Sequence, residues 1–327
     1  MQDPIEEKVF VWDQSDGSKF NEINQQILHL EKRLFCDYEP NLGPKSNFIS
    51  RLNLWLDNLK DETEQKILFE LVPNLFYVGR EEFNVLYREA YHTIYARWVI
   101  ESAKIDIYDS NVKVALNTAV KETWFCPLTD SLRINQFYHI NDIPGKYDYR
   151  PDWRSLTKFG DDNKIKAYVE ENKIKRIVLL EDFIGNGSQV SKAVKLAIRL
   201  FPEMPLLVVP LIICPKGVLS AKELTDANPN VTINPVISMS EFNFINEEIK
   251  GNNTQICLDT YALAHKSYPQ VSDSDVIDDD VDPYGPFGWR NTGALIVMYS
   301  NTPNNTLPLV HNKSSKWFPL FLRHKRV

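Results

Sequence analysis

Cysteine is scarce in this sequence: only four occur in 327 residues, and no two of them are spaced as a CxxC pair. This pattern argues against a structural zinc site and against the disulfide framework of a small secreted domain. Free thiols in a reducing cytoplasm are the simpler interpretation. The polar, acidic start MQDPIEEK is unlike a signal peptide. Together these features predict a cytoplasmic protein.

Long apolar runs and an excess of basic residues are also absent. The longest apolar run, Leu206 to Cys214, has the length of a strand, whereas about 20 residues are needed to span a bilayer. We therefore expect no membrane segment. The net charge of −7 argues against a non-specific nucleic-acid binder. A Walker A lysine motif and a Gly-x-Ser-x-Gly elbow are both missing, so neither nucleoside triphosphate hydrolysis nor acyl transfer is predicted.

Helical periodicity dominates the first third of the chain. Apolar residues recur at three- and four-residue steps from Phe20 to Leu34, and an aromatic stripe follows one face of Arg80–Ser102. From about residue 106 onwards, short apolar runs alternate with helical segments. We therefore divide the chain into an N-terminal helical region, residues 1–105, and an α/β domain, residues 106–327.

The α/β domain is predicted to contain a parallel sheet flanked by helices. Its strand candidates are apolar throughout rather than alternating, as expected for strands that are buried on both faces. A strand, a helix and a second strand from residue 177 to 214 form a βαβ unit. The predicted strands are Thr123–Cys126, Ile177–Leu180, Leu206–Cys214, Val231–Ile237 and Ala294–Tyr299, and the predicted helices are Asp161–Asn172 and Ser188–Phe201.

A glycine loop between a buried strand and a helix is the most informative part of the chain. The segment RIVLLEDFIGNGSQ, residues 176–189, contains it. Backbone N–H groups of such a loop and the positive end of the following helix form a site for a phosphate. The predicted phosphate-binding residues are Gly185, Asn186, Gly187, Ser188 and Gln189. A plain structural connection is the alternative, since glycine loops between strands and helices are common.

Two adjacent carboxylates, Glu181 and Asp182, immediately precede this loop. Carboxylates accept strong hydrogen bonds from a sugar cis-diol, and open parallel sheets bind ligands at the carboxyl ends of their strands. Ribose 5-phosphate compounds carry both a diol and a phosphate, so they are the predicted ligands. Asp182 is also a candidate ligand of Mg²⁺, the cofactor that we expect. The alternative is that the pair caps the helix or binds a lysine.

The sequence VLLEDFIGNGSQ resembles the signature of the type I phosphoribosyltransferases. In that family the acidic pair binds the ribose hydroxyls of phosphoribosyl pyrophosphate, and the loop holds the 5-phosphate. The resemblance implies these roles for Glu181 and Asp182 and for residues 185–189, and it implies the parallel fold of that family. Asn186 and Gln189 stand where the family often has hydroxyl residues.

A second resemblance covers residues 60 to 323. The segments TWFCPLTDS, LLEDFIGNGSQ, PLIICPKG and NTPNNTLPLVHN are similar to those of the phosphoribosyltransferase-like effectors of bacterial conflict systems. Some of these effectors are encoded beside retron reverse transcriptases in antiphage loci. The resemblance implies an antiphage effector, or toxin, in a prokaryotic cytoplasm. It does not imply a particular reaction.

Three further sets of residues are candidates for the site. Thr129, Asp130 and Ser131 follow a predicted strand and form a candidate pyrophosphate-side loop, or else a simple helix cap. Lys216 follows the strand after the glycine loop, where salvage enzymes of the resembled family place a lysine near the base; a surface turn is the alternative. Trp289 and Arg290, in a stiff aromatic loop, are base-side candidates, or simply pack.

We expect an enzyme that acts on a ribose 5-phosphate compound or nucleotide at the anomeric carbon. Glu181, Asp182 and Lys216 are its candidate catalytic residues. The alternative is a catalytically inactive nucleotide-binding module, in which the N-terminal helices dock a reverse transcriptase that carries its RNA–DNA product. The sequence leaves the acceptor base, the trigger of activation and the oligomeric state open.

Overall fold

The computed structural model of the protein describes residues 4–40, 47–129, 131–143, 155–245, 254–272 and 284–324. These residues group into two compact units. The first unit combines Met1–Arg80 with Ser240–Val327, and the second is the contiguous segment Glu81–Met239. The second unit carries the sheet with the acidic pair and the glycine loop, and the first contains the N-terminal helices.

The helices and strands follow one another along both units. The described strands are β1 (Phe76–Val78), β2 (Thr123–Pro127), β3 (Arg176–Ile184), β4 (Leu206–Ile213), β5 (Val231–Ile233), β6 (Ile237–Ser238), β7 (Tyr284–Gly285), β8 (Gly288–Trp289) and β9 (Ile296–Met298). The described α-helices are α1 (Pro4–Asp16), α2 (Lys19–Arg33), α3 (Phe48–Leu56), α4 (Glu62–Leu71), α5 (Arg80–Arg88), α6 (Ala96–Ser102), α7 (Val112–Lys121), α8 (Ile134–Ile140), α9 (Leu156–Phe159), α10 (Asp162–Glu171), α11 (Ser188–Leu200), α12 (Pro215–Ala227), α13 (Gln255–Ser272) and α14 (Pro308–His311). None of the described helices is long and apolar enough to span a membrane.

The sheet of the second unit confirms the predicted α/β class. Its described strands are parallel in the order β2-β3-β4-β5, and β6 pairs with the end of β4. Every residue of β3 and β4 is buried, because helices cover the sheet and the strand sequences are apolar. One face packs against α9, α10 and α11, and α11 contributes the predicted stripe that includes Val190, Val194 and Ala197.

The other face of β2 packs against the predicted aromatic helix. A π-helical stretch, Glu89–Tyr95, connects α5 to α6. The ring of Tyr95 lies 4.7 Å from that of Phe125, in an edge-to-face arrangement, and Tyr87 contacts Phe137. Such aromatic pairs stabilise a core beyond the area that they bury. The stripe over Arg80–Ser102 is therefore core, as the sequence predicts.

The first unit is joined by contacts between its N-terminal helices and its C-terminal segment. The indole N–H of Trp55 donates to the Leu309 carbonyl at 2.7 Å, and Arg51 Nε donates to the Leu320 carbonyl at 3.0 Å. Strand β1 pairs in parallel with β9, and β7 and β8 form a short antiparallel hairpin. Buried aromatic rings such as Phe35 and Phe321 contact each other at 5.2 Å.

Several element predictions need correction. The single strand predicted over Val231–Ile237 is divided into β5 and β6, which pair with different parts of β4. The strand predicted within Ala294–Tyr299 pairs with β1 of the first unit. The compact units also do not divide at residue 105: residues 81–105 group with the sheet, and the segment after residue 239 groups with the N-terminal helices. The contacts of Tyr95 and Trp55 explain this grouping.

Candidate functional site

The acidic pair, Glu181 and Asp182, lies within β3 near its carboxyl end. The sequence predicts that this strand ends at Leu180, but pairing with β4 continues to Ile184, since the residues after the acids are apolar and buried. Only 2% of Glu181 and 5% of Asp182 is exposed. Both carboxylates are therefore fixed by a central strand, and buried carboxylates of this kind require hydrogen-bond donors.

Two hydroxyl groups, those of Thr129 and Ser131, supply these donors; we call them the hydroxyl pair. The Thr129 hydroxyl donates to Glu181 Oε1 at 2.6 Å, and the Thr129 amide donates to Glu181 Oε2 at 2.9 Å. The Ser131 hydroxyl donates to Asp182 Oδ1 at 2.8 Å and lies 3.2 Å from Glu181 Oε1. The two hydroxyl oxygens are 2.7 Å apart. The structure thus brings two predicted groups of residues into one network.

The network of the hydroxyl pair and the acidic pair has fewer hydroxyl protons than close oxygen–oxygen contacts. The two hydroxyls carry one proton each, whereas four close oxygen–oxygen contacts connect the hydroxyl pair and the acidic pair. Burial raises the pKa of Glu181 well above its usual range, and the neighbouring charge of Asp182 raises it further; the bonds from Thr129 and Ser131 act in the opposite direction. A proton on Glu181 would add a third donor to the network, so the two acids share one negative charge more readily than they carry two.

The glycine loop turns sharply because Gly187 adopts a left-handed conformation, with φ +81°. A Cβ atom at Gly187 would lie 2.6 Å from the Cβ and Oγ of Ser220 in α12. Glycine is needed here for both its backbone conformation and its lack of a side chain. The loop therefore lies directly against α12, a contact that the loop sequence alone does not reveal.

The loop presents hydrogen-bond donors that the protein does not use. Within the part of the chain that the structure describes, the backbone N–H groups of Gly185, Asn186 and Gly187 donate no hydrogen bond. Asn186 Oδ1 accepts from the Ser188 amide at 3.1 Å, and Asn186 Nδ2 is buried and has no acceptor among the described residues. Gln189, predicted as a ligand, is exposed in the first turn of α11, whose first N–H groups lack intrahelical partners.

Helix α12 begins beside the same loop. A Cβ atom on Gly217 would lie 2.9 Å from the Gly185 carbonyl oxygen, so the first turn of α12 contacts the glycine loop directly. Lys216 is half-buried in this turn. The positive ends of α11 and α12 together favour an anion at this edge of the sheet.

Trp289 and Arg290, the base-side candidates, belong to the first unit. Trp289 ends the β7–β8 hairpin, and its amide donates to the Asn304 carbonyl at 2.8 Å. Arg290 is exposed, with φ +51°, and its guanidinium group lies 6.0 Å from the centre of the Trp289 ring. Their assignment to the base stays a prediction.

The sequence reasoning missed one residue and assigned another incompletely. Ser220 was not predicted, since only its packing against Gly187 connects it with the loop. Ser131 does not cap the following helix, because α8 begins at Ile134 with Arg133 at its cap position; its hydroxyl contacts the acidic pair instead. Asp130, the third candidate of that segment, lies outside the described residues.

Comparison with known proteins gives one match. A family model described as PRTase-CE matches residues 52–323, which include the acidic pair, the hydroxyl pair and the glycine loop. The matched range extends over parts of both compact units. The comparisons with curated proteins and with solved structures found no match.

Proposed function

Since the chain belongs to the PRTase-CE family and has a phosphoribosyltransferase-like domain, we propose that the carboxyl end of β3 binds a ribose 5-phosphate compound or nucleotide. The glycine loop binds the 5-phosphate, and the acidic pair binds the ribose hydroxyls. The fold supports this proposal, because open parallel sheets bind ligands at the carboxyl ends of their central strands.

The unused donors of the glycine loop are the observation that carries this proposal. Buried polar groups almost always have hydrogen-bond partners, yet Asn186 Nδ2 has none among the described residues. It lies in the same short turn as three backbone N–H groups that donate to no described acceptor. A phosphate offers several charged acceptor oxygens at once, which matches several unused donors in one short turn better than a neutral group would.

The proposed reaction breaks or forms a bond at the anomeric carbon of the ribose. Its transition state resembles an oxocarbenium ion, so a neighbouring negative charge stabilises it. The acidic pair supplies that charge, since its two carboxylates share one negative charge when Glu181 holds a proton. We assign to Lys216, in the first turn of α12, the neutralisation of an anionic leaving group. Phosphoribosyl pyrophosphate has such a group, the pyrophosphate.

Asp182 is the residue that would hold Mg²⁺. Carboxylate and hydroxyl oxygens are the hard ligands that Mg²⁺ takes, and it commonly combines one or two carboxylates with substrate phosphates and water. Within the described residues, no group of three or more His, Cys, Asp or Glu side chains could hold a metal, so ligand oxygens would complete its coordination. When bound, Mg²⁺ would neutralise charge on the phosphate oxygens.

In the cell, we propose that the protein is an antiphage effector that consumes or modifies a nucleotide until growth stops. A second candidate function is a binding module without turnover, which docks a reverse transcriptase with its RNA–DNA product. Asn186 and Gln189, which stand where the resembled family often has hydroxyl residues, favour this second function, because the loop then keeps its donors for a phosphate while catalysis is lost. The two functions share the ligand and differ in product formation.

Calorimetry with ribose 5-phosphate, phosphoribosyl pyrophosphate and inorganic phosphate tests the proposed site. Asp182→Asn is expected to weaken ribose 5-phosphate binding by about tenfold to a hundredfold, since a hydrogen bond to a charged group contributes about 1.5–3 kcal/mol. Inorganic phosphate should bind both proteins equally. Asp226→Asn is the matched control, because Asp226 is exposed on α12 of the same unit. Ribose 5-phosphate binding no tighter than inorganic phosphate would contradict the proposal.

Turnover then separates the two functions. In a product assay with phosphoribosyl pyrophosphate and Mg²⁺, water attacks the anomeric carbon and pyrophosphate leaves. The wild-type protein should therefore release ribose 5-phosphate and pyrophosphate, and Asp182→Asn should release neither. Expression of the same two proteins should stop growth only with the wild type. Ligand binding without any product would favour the binding module over the enzyme.

A further inference from the structure

The acceptors that the proposed function assigns to the sugar are occupied by hydroxyl groups of the protein itself. Thr129 and Ser131 donate to Glu181 and Asp182, respectively. This inference rests on the proposed function, and it concerns how the same site is controlled. A ribose that took the same acceptor oxygens, Glu181 Oε1 and Asp182 Oδ1, would have to displace the hydroxyl pair.

The hydroxyl pair has the hydrogen-bonding pattern of a vicinal diol. Its two oxygens are 2.7 Å apart and in hydrogen-bond contact, as neighbouring cis hydroxyls of a sugar ring are. One hydroxyl donates to Glu181 and the other to Asp182, at 2.6 and 2.8 Å. A ribose with both its 2- and 3-hydroxyls would replace these contacts one for one, whereas a deoxyribose would leave one of them unmade.

The attachment of the hydroxyl pair permits release without disruption of the sheet. Among the described residues, the last backbone bond from this segment to β3 joins the Leu128 amide to the Leu180 carbonyl, at 2.7 Å. The next amide, that of Thr129, donates to the Glu181 side chain instead. Leu128 is buried, whereas Thr129 and Ser131 are half-buried. Thus the strand holds the segment as far as Leu128, and the described contacts of the hydroxyl pair with β3 are to the two carboxylates.

We propose that the hydroxyl pair is an autoinhibitory contact: it occupies the diol position of the acidic pair until a ligand with two vicinal hydroxyls displaces it. Ligands with the diol compete with the hydroxyl pair. Inorganic phosphate, which needs only the glycine loop, does not compete. The site therefore selects ribose over 2-deoxyribose compounds, because only the former replaces both bonds.

The variant Thr129→Val/Ser131→Ala tests this proposal by calorimetry. It is expected to bind ribose 5-phosphate about tenfold more tightly than the wild type, since the competing donors are gone. For 2-deoxyribose 5-phosphate the gain should be smaller, and for inorganic phosphate the affinity should not change. Unchanged or weaker binding of ribose 5-phosphate by the variant would overturn the proposal and would identify Thr129 and Ser131 as supports of the acidic pair.

The result also separates this proposal from the proposed function. If the proposed function fails, ribose 5-phosphate binds no tighter than inorganic phosphate to either protein, and the autoinhibitory contact is rejected with it. If only the autoinhibitory contact fails, ribose 5-phosphate binds the wild type more tightly than phosphate does, but the variant shows no gain.

Amide hydrogen exchange in the wild-type protein gives a second test, which does not depend on the folding of a variant. Saturation with ribose 5-phosphate should speed exchange of the Thr129 amide at least several-fold, because its acceptor Glu181 turns to the ligand. The Leu128 amide is the internal control, since it stays bonded to the Leu180 carbonyl of β3. Slower or unchanged exchange at Thr129 would show that the hydroxyl pair stays in place, against the proposal.

Discussion

Gly187→Ala is expected to weaken sugar phosphate binding at least a hundredfold and to destabilise the protein by about 2–5 kcal/mol. About 1–2 kcal/mol comes from a Cβ atom in a left-handed conformation, and about 1–3 kcal/mol comes from overpacking, since the new methyl group would lie 2.6 Å from Ser220. Relief of this clash would move the glycine loop away from α12. The unused donors of the loop would move with it, so ribose 5-phosphate affinity should fall at least a hundredfold.

Gly17→Ala is the matched control for the cost of placing a Cβ atom on a left-handed backbone. Gly17 also has a positive φ, +71°, but no atom lies within 4 Å of the position that its Cβ would take. Urea unfolding should show a loss of only about 1–2 kcal/mol for this variant, with ligand binding unchanged. Equal losses for Gly17→Ala and Gly187→Ala would show that the contact with Ser220 is unimportant.

Ser220→Gly provides a rescue. A glycine at position 220 removes both atoms that the alanine methyl group would meet, although glycine within a helix itself costs about 1 kcal/mol. The double variant Gly187→Ala/Ser220→Gly should therefore lose less unfolding free energy than the sum of the losses of the two single variants. The coupling, of about 1–3 kcal/mol, reports the clash directly.

Acidification is expected to destabilise the wild-type protein through His311. This side chain is fully buried in the first unit, and burial lowers its pKa from 6.5 to about 3. The positive charge of Arg323 acts in the same direction. Its Nε2 contacts the Thr306 carbonyl and the Tyr284 hydroxyl, while Nδ1 has no partner among the described residues. A second proton on the His311 ring would therefore create a buried positive charge, with no described acceptor for the N–H at Nδ1.

The direction of the effect follows from proton binding. Between pH 6.5 and about 3 the unfolded state binds a proton at His311 and the folded state does not. The free energy of unfolding therefore falls as the pH is lowered through this window, by up to about 1.4 kcal/mol per pH unit. Above pH 6.5 the contribution of His311 to stability is fully present.

Urea unfolding at a series of pH values measures this slope. His311→Gln should lose the part of the slope that His311 causes, whereas His139→Gln should keep it, because His139 is exposed on α8. Contributions of the carboxylates cancel in the difference between each variant and the wild type. Identical slopes for His311→Gln and the wild type would mean that His311 is not buried as a neutral group.

The local part of the site follows from the sequence, because short-range patterns determine it. Continuous apolar runs predict β3 and β4, and Gly187 with the helix that follows predicts a phosphate loop. The acidic pair is visible from its place before that loop. These features depend on neighbours along the chain, so one sequence carries the necessary signal.

The remaining features depend on contacts between residues far apart in sequence. Thr129 and Glu181 are 52 residues apart, and neither their hydrogen bond nor the raised pKa of Glu181 follows from local composition. Ser220 likewise belongs to the loop only through packing. The β1–β9 pair joins residues more than 200 positions apart, which is why a boundary drawn from local texture at residue 105 differs from the compact units.

The two stretches of the first unit are separated in sequence by the whole second unit, so the ribosome completes the second unit first. Every residue of the second unit has been made once the ribosome passes Met239, so its sheet can assemble early, as domains generally fold in the order of their completion. Trp55, by contrast, donates to Leu309, and this acceptor is translated about 250 residues later. Nascent chains would thus carry a finished sheet while the helices made first still expose aromatic side chains, and chaperones would meet the amino-terminal portion for longest.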